Sequence, residues 1–191
     1  QTLKYQPKSR YNKTMRTCPL CGRELFSSAR KDTIYCGTTC RVAAHRTGIP
    51  TAMLTQTRWV NWDNNKRPTN PQNGHLASST NPETWTTHAK ARQTSKQIGY
   101  VLGNGTGCID LDHCINPDGT LTPGAQQITD FYPDNWIEIS PSGHGLHIWG
   151  TAPETKGIRR NWHGQTTEFY TTGRYITITG RTWQKGHLLP L

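Results

Sequence analysis

The sequence predicts a mixed α+β domain with a largely antiparallel sheet, preceded by a small cysteine-bearing module. Three observations predict it. Six or more short segments alternate apolar and polar residues, and several are joined by turn-like connections, while only one or two stretches carry helix signals. Four of the six cysteines fall within residues 18–40. Residues 1–50 hold ten lysines and arginines against only Glu24 and Asp32, whereas the remainder of the chain is close to charge balance. The predicted division is therefore a basic four-cysteine zinc-binding module over 1–50 and a larger domain over 51–191.

In chain order, the first module reads CPLCGRELFSSARKDTIYCGTTC, with Cys18-x2-Cys21 and Cys36-x3-Cys40. Two close pairs across a short loop bring four thiolates to one tetrahedral Zn²⁺. Gly22 lets the backbone turn toward the metal, and TTCRVAAHR predicts a short helix behind the second pair. Two disulfides are the alternative, and they fit poorly with a chain that shows no secretion signal. Arg23, Arg30, Lys31, Arg41 and Arg46 surround the cysteines and predict contact with a phosphate backbone. A structural or protein-binding knuckle and a merely solubilising basic segment are the alternatives.

Beyond Pro50, TRWVNW predicts a half-buried strand, and DNNKRPTNPQNG an exposed loop. In STNPETWTTHAKAR, Thr80 or Asn81 can cap a helix with Pro82 in its first turn. Strands are predicted at QIGYVL and GCIDLD, a helix at TPGAQQITDFY, and strands at WIEIS, GLHIWG, TTEFYTT and RYITIT. No apolar run approaches the roughly 20 residues that span a bilayer, and no charged-then-apolar leader precedes residue 20. A soluble cytoplasmic protein without a membrane partner is expected. The initial Gln predicts a chain cut or processed from something longer.

The chemistry centres on CIDLDHC, residues 108–114. Read as a strand, it points Cys108, Asp110, Asp112 and Cys114 one way and His113 the other. The outer cysteines then lie roughly 20 Å apart and cannot share an ion, while Asp110 and Asp112 lie roughly 7 Å apart. Carboxylates on a strand suit Mg²⁺ or Mn²⁺, and a metal pair of that kind serves in-line phosphoryl transfer. A surface Asp pair with no catalytic role is the alternative. SPSGHGLHIW sets Ser140, Ser142, Gly143, His144 and Gly145 in a turn that feeds a strand carrying His147, a pattern open to a triphosphate. TTEFYTTGRY supplies Glu168 as a third carboxylate, followed by Arg174 to clamp phosphate and Tyr175 to stack on sugar or base.

The ordered set Asp-x-Asp, Ser-x-Gly-x-Gly-Leu-His and Glu followed by Gly-Arg-Tyr resembles the archaeo-eukaryotic primase superfamily, in particular the primase-polymerases of phages and plasmids. The similarity runs from Arg58 to Arg181 and takes in RWVNW, STNPETW, IGYVLGNGTGCIDLDHC, EISPSGHGLHIWG and GRYITITG. It implies a catalytic core whose antiparallel sheet is flanked by helices, and in which Asp110, Asp112 and Glu168 hold the catalytic Mg²⁺ or Mn²⁺. It further implies that Ser142, Gly143, His144, Gly145 and His147 meet the triphosphate and that Arg174 and Tyr175 line the nucleotide pocket. Implied partners are a single-stranded DNA template, dNTPs or NTPs, and a helicase domain or partner. Where relatives carry Lys or Arg, this chain has His144, which puts a full positive charge in doubt there. A two-metal nuclease and a non-catalytic template- or origin-binding protein are the competing readings.

Overall fold

A computed structural model describes residues 15–191. The first fourteen residues of the basic module lie outside the described residues. Helix α1 is Thr38–Thr47 and α2 is the single turn Thr51–Leu54. Strands β1 (Trp59–Trp62) and β2 (Pro68–Thr69) precede α3 (His88–Thr94), which leads into β3 (Ile98–Val101) and β4 (Thr106–Leu111). Helix α4 (Pro123–Asp130) is followed by β5 (Trp136–Ile139), β6 (Leu146–Thr151), β7 (Ile158–Trp162) and β8 (Gln165–Tyr170). The chain ends with β9 (Tyr175–Ile178), β10 (Thr182–Gln184) and β11 (Leu189–Pro190).

The strands form two sheets rather than one: a four-stranded sheet in the order β2-β1-β3-β9, and a seven-stranded sheet in the order β10-β5-β6-β4-β8-β7 with β11 added to β6. Every pairing is antiparallel except β11 with β6. Side-chain alternation decides which surfaces meet. Trp59, Ile98, Tyr100, Ile176 and Ile178 of the smaller sheet share one buried cluster with Cys108, Trp136 and Trp149 of the larger. Edge-on contacts run Trp59 to Tyr100 at 5.2 Å and Tyr100 to Trp149 at 6.1 Å between ring centroids, and Trp149 stacks on Trp136. The opposite face of the larger sheet buries Ile109, Leu111, Ile137, Leu146 and Ile148 against Ala125 and Ile128 of α4. At roughly 1.5–3 kcal/mol per fully buried large side chain, these two clusters carry the fold.

Several elements differ from the sequence expectation for local reasons. The predicted helix over 79–92 breaks in two. Asn81 caps only one 3₁₀ turn, Pro82–Thr84, by accepting from the Glu83 N–H, and α3 restarts at Thr87, whose hydroxyl accepts from Lys90 N–H. Between them Trp85 is buried with its indole N–H on the Ser78 carbonyl, and Thr86 bridges to Trp59, so the backbone must extend. Strand β7 escapes an apolar-periodicity reading because it is an exposed edge carrying Arg159 and Arg160. Strand β4 ends at Leu111, one residue before Asp112, and His113 turns into the left-handed region at φ 50°. Cys108 and Cys114 therefore do not share a face: Cys108 joins the core between the sheets, and Cys114 joins the cluster under α4.

The cysteine-bearing segment packs directly on the sheets. Ala44 and Ile49 are buried in the inter-sheet cluster, with Leu20 and Tyr35 packed against it. His88 of α3 completes the contact, its ring edge-on to Trp59 at 4.8 Å and its Nδ1 3.2 Å from the Pro19 carbonyl. Burial, helped by Arg92 and only partly offset by the Pro19 bond, lowers the His88 pKa to about 4. The folded value thus lies below the unfolded one, so between about pH 6.5 and about 4 only the unfolded chain takes up this proton. Stability should fall with acidity through that window by about 3 kcal/mol. His88→Gln, which keeps a donor for Pro19, should lose correspondingly less stability between pH 7 and pH 4 in chemical denaturation. Equal losses in the two proteins would contradict the assignment.

Candidate active site and cysteine cluster

Antiparallel register places one rung of side chains across five strands of the larger sheet. Glu138 on β5 is opposite His147 on β6, His147 opposite Asp110 on β4, Asp110 opposite Glu168 on β8, and Glu168 opposite Arg159 on β7. Residues two positions away, Trp136, Trp149, Cys108 and Tyr170, belong to or pack against the inter-sheet core. By alternation the rung shares their face and lies where that core gives way to polar side chains.

Within the rung, His147 Nδ1 is 3.1 Å from Glu138 Oε1, and His147 Nε2 is 3.8 Å from Asp110 Oδ1. Glu138 is fully buried, and its other oxygen accepts from the Thr179 N–H, the Thr179 hydroxyl and the Gly180 N–H. Those bonds orient the carboxylate, and the carboxylate orients the imidazole. Burial alone would discharge the ring, but the Glu138 bond and the charges of Glu138, Asp110 and Asp112 outweigh it and raise the His147 pKa above its usual value. On the other side, Arg159 Nε is 3.4 Å from Glu168 Oε1, while the Tyr170 hydroxyl donates to Glu168 Oε2 at 2.8 Å. Arg174 donates to that same hydroxyl at 2.8 Å and stacks over the Tyr170 ring.

Asp110 is the strained member. Burial raises its pKa, and Asp112 and Glu168 push the same way against His147 and Lys66. Its Oδ1 is buried without a hydrogen-bond partner. A buried carboxylate oxygen with no donor, crowded by two more carboxylates, fits a hard divalent cation such as Mg²⁺ or Mn²⁺. The three acids are spread along the rung and its end rather than closed on one point: among the described residues, the four cysteines are the group of possible ligands whose atoms all lie within 4.8 Å of one another. Asp112, just past the end of β4, is held through its backbone carbonyl, which accepts from Gln165 Nε2 at 2.7 Å.

The Ser-Gly turn sits at the end of β5 and β6. Its tightness is required: a Cβ on Gly145 would come 2.6 Å from the Leu111 carbonyl oxygen, and Gly143 adopts φ 84°. Gly143 N–H bonds the Ser140 carbonyl and His144 N–H bonds the Ser142 hydroxyl at 3.2 Å, so those two donors are engaged inside the turn. His144 is exposed, and its carbonyl accepts from the Cys114 and Ile115 N–H groups. Tyr175 packs with Val60, Trp85 and Val101 on the outer face of the smaller sheet, because Ile176 takes the inward position of β9. Its hydroxyl donates to the Lys66 carbonyl, anchoring the predicted exposed loop.

Four residues at this site escaped the sequence reading. Glu138 was visible only as the polar member of the WIEIS alternation. Arg159 lies on the edge strand without an apolar pattern, and Tyr170 reads as an ordinary strand aromatic. Arg181 donates to the Ser140 carbonyl beside the turn, a contact 41 residues distant in sequence.

In the cysteine module, Cys18 is buried, Cys36 and Cys40 are half-buried and Cys21 is exposed. Cys36 Sγ is 3.5 Å from both Cys21 Sγ and Cys40 Sγ. That exceeds a disulfide bond of about 2.05 Å and approaches the edge of about 3.8 Å in a tetrahedron with metal–sulfur bonds of about 2.3 Å. The four cysteines could hold a metal ion. Burial opposes ionisation of Cys18, but backbone hydrogen bonds from Cys36, Cys21 and Leu20 bring its thiol down to about 7, so one ligand is prepared as thiolate. Burial pushes Cys108 well above its usual value and Cys114 up to about 12, which keeps both as inert thiols. Of the five cations predicted to meet phosphate, Arg23 lines a cleft against α3 with Lys90, Arg41 and Arg46 lie on α1, and Arg30 and Lys31 are exposed on the loop between the cysteine pairs.

Among the described residues no helix is long and apolar enough to cross a membrane. No family model matches the chain. Over 146 residues it is 34% identical to a protein of Nitratiruptor phage NrS-1 named DNA primase-polymerase, an alignment that takes in 69% of this chain. The chain spans about a fifth of that relative's length, since the match covers 20% of it. An antiparallel α+β chain with a cysteine cluster near its N-terminus is thus related in sequence to a phage primase-polymerase.

Proposed function

We propose that this chain is the catalytic part of a DNA-dependent primase-polymerase of the archaeo-eukaryotic primase superfamily, acting on single-stranded template in phage or plasmid replication. It would join a 3′-hydroxyl, or the first nucleotide's hydroxyl, to the α-phosphate of a dNTP or NTP. The observation that carries this reading is the rung itself, which sets a buried, partnerless Asp110 oxygen between Glu168 and an imidazole oriented by a buried carboxylate. Similarity to a primase-polymerase supports it. Asp110, Asp112 and Glu168 would hold Mg²⁺ or Mn²⁺, which when bound activates the attacking hydroxyl and neutralises charge on the leaving group.

The chain's own groups divide the remaining work. His147, whose protonated form Glu138 favours, presents Nε2 beside Asp110 and would bind a phosphate oxygen of the incoming nucleotide. Ser142 and the Gly143–Gly145 turn form the wall next to it, with Arg181 alongside. Arg174, oriented on the Tyr170 ring, offers a guanidinium to the same polyphosphate. The cysteine module would hold Zn²⁺ and help grip the template through Arg23, Arg30, Lys31, Arg41 and Arg46, and a helicase domain or partner would supply unwound strand. A two-metal nuclease needs the carboxylates but not the Glu138–His147 pair, and a purely binding protein needs neither.

The deciding measurement is synthesis on single-stranded DNA with Mn²⁺ and labelled nucleotides, with and without a primer. Extension is expected; shortening of the primed strand without extension would sink the polymerase reading. Asp110→Asn should lower synthesis at least about a hundredfold. The same change relieves an unpaired buried charge, so the metal-free protein should melt a few degrees higher, at about 2–4 °C per kcal/mol for a chain of this size. A lower melting temperature would mark Asp110 as structural.

Glu138→Gln removes the charge that raises the His147 pKa, and with its amide oxygen kept on the Thr179 and Gly180 donors its NH2 group faces His147 Nδ1, where it can donate only to a neutral ring. Ring protonation, and with it nucleotide binding, is then lost at lower pH. The KM for nucleotide should begin its rise at lower pH than in the unaltered protein while kcat below that pH changes little. Coincident KM profiles would argue against the imidazolium role.

For the cysteine cluster, about one zinc per chain is expected by metal analysis, with four thiols freed for reaction on chelation. Removal of the metal should lower the melting temperature, because Leu20 and Tyr35 pack on the sheets from this module. Absence of bound metal together with two disulfides would refute the assignment.

A further inference from the structure

A second basic cleft lies where the cysteine module meets the end of the chain. It is a cavity of about 470 Å³ whose rim carries Arg41 and His45 from α1 and Lys185 and His187 from the segment after β10, over a floor that includes Ile49. Asp134 is the one carboxylate in its lining. None of the ion pairs among the described residues uses Arg41 or Lys185.

Both walls are held in place. Arg41 and His45 are one helical turn apart, so they project from the same side of α1, and Ala44 buries the helix against the core. On the facing segment, Lys185 and His187 flank Gly186, where a Cβ would strike the Asp134 and Asn135 backbone at 2.4 Å. His187 N–H bonds the Asp134 carbonyl at 2.8 Å, Trp136 N–H bonds the His187 carbonyl at 3.0 Å, and Gln184 Nε2 bonds the Tyr132 and Asn135 carbonyls. The cations are therefore presented by pinned backbone, which reduces the ordering cost of binding.

We propose that this cleft is a binding site for the phosphodiester backbone of a single-stranded nucleic acid, built jointly by the cysteine module and the C-terminal segment through Arg41, His45, Lys185 and His187. Arg41 and Lys185 on facing walls of the cleft, each with a histidine beside it, suit a polymer whose charges repeat, and Tyr35 and Ile49 in the lining offer apolar surface to sugar or base. The inference rests on the reading of the chain as acting on a nucleic-acid template, and it extends that grip beyond the module to Lys185 and His187. It also makes the segment after β10 part of the template path, on the β10 side of the larger sheet from which Glu138 joins the rung.

The test is anisotropy of a fluorescein-labelled 20-mer oligothymidine with the full chain, without added nucleotide, over a range of salt. Arg41→Ala with Lys185→Ala should weaken binding about tenfold near 0.1 M salt and make the slope of log affinity against log salt shallower by about 1.4, from two lost phosphate contacts on a single strand. Lys185→Ala alone, at an exposed position, should show about half that change in slope. Arg41→Lys with Lys185→Arg should bind as the unaltered chain does. Unchanged affinity and slope in both alanine variants overturn the proposal. Displacement of the oligonucleotide by millimolar ATP, lost in the double variant, would overturn it in favour of a free nucleotide as the occupant. Asp110→Asn should bind the oligonucleotide normally, so strand binding and synthesis can each fail without the other.

Discussion

Antiparallel pairing of β4 with both β6 and β8 is the constraint on which the site depends. Because Asp110 is flanked by His147 on one side and Glu168 on the other, three ionisable side chains meet on a single rung at the spacing of neighbouring strands. Shifting either register by one residue would turn the partner side chain to the α4 face, into the cluster of Ile109, Leu111 and Ile148. Packing of that apolar face therefore enforces the alignment of the polar one. The aromatic contacts from Trp59 through Tyr100 to Trp149 then set the smaller sheet against the same face.

Such an alignment concentrates like charges in a partly desolvated place. Asp110 bears the cost: its carboxyl is harder to ionise than usual and one of its oxygens is unpartnered. Glu138 and His147 show the opposite arrangement, a buried charge whose hydrogen-bonding capacity is met by Thr179 and Gly180. One half of the rung is satisfied within the protein and the other is left open, the division expected where a ligand completes the electrostatics.

The cysteine module depends on the same core from outside. Ala44, Ile49, Leu20 and Tyr35 contribute to the inter-sheet cluster, and His88 ties α3 to the Pro19 carbonyl between the first two cysteines. A basic module that packs this way holds its cations at fixed positions relative to the sheets. That seating is what creates the shared cleft with Lys185 and His187.

Sequence alone determined the features that rest on local rules. Cysteine spacing announced a four-cysteine cluster, alternation marked most strands, Thr122 and Pro123 marked the start of α4, and three ordered motifs named Asp110, His147 and Glu168, which prove to be cross-strand neighbours. Local rules misled where a distant partner overrode them. Trp85, drawn to the Ser78 carbonyl, split a well-capped helix, and the early end of β4 separated Cys108 from Cys114. Alternation along β9 set Tyr175 on the outer face of the smaller sheet, while Glu138, Arg159 and Arg181 joined their partners from strands and loops with no motif of their own. Only the tertiary structure decided these, because cross-strand register and the choice of which sheet face is buried are set by contacts between segments tens of residues apart, and no local window of sequence contains both partners.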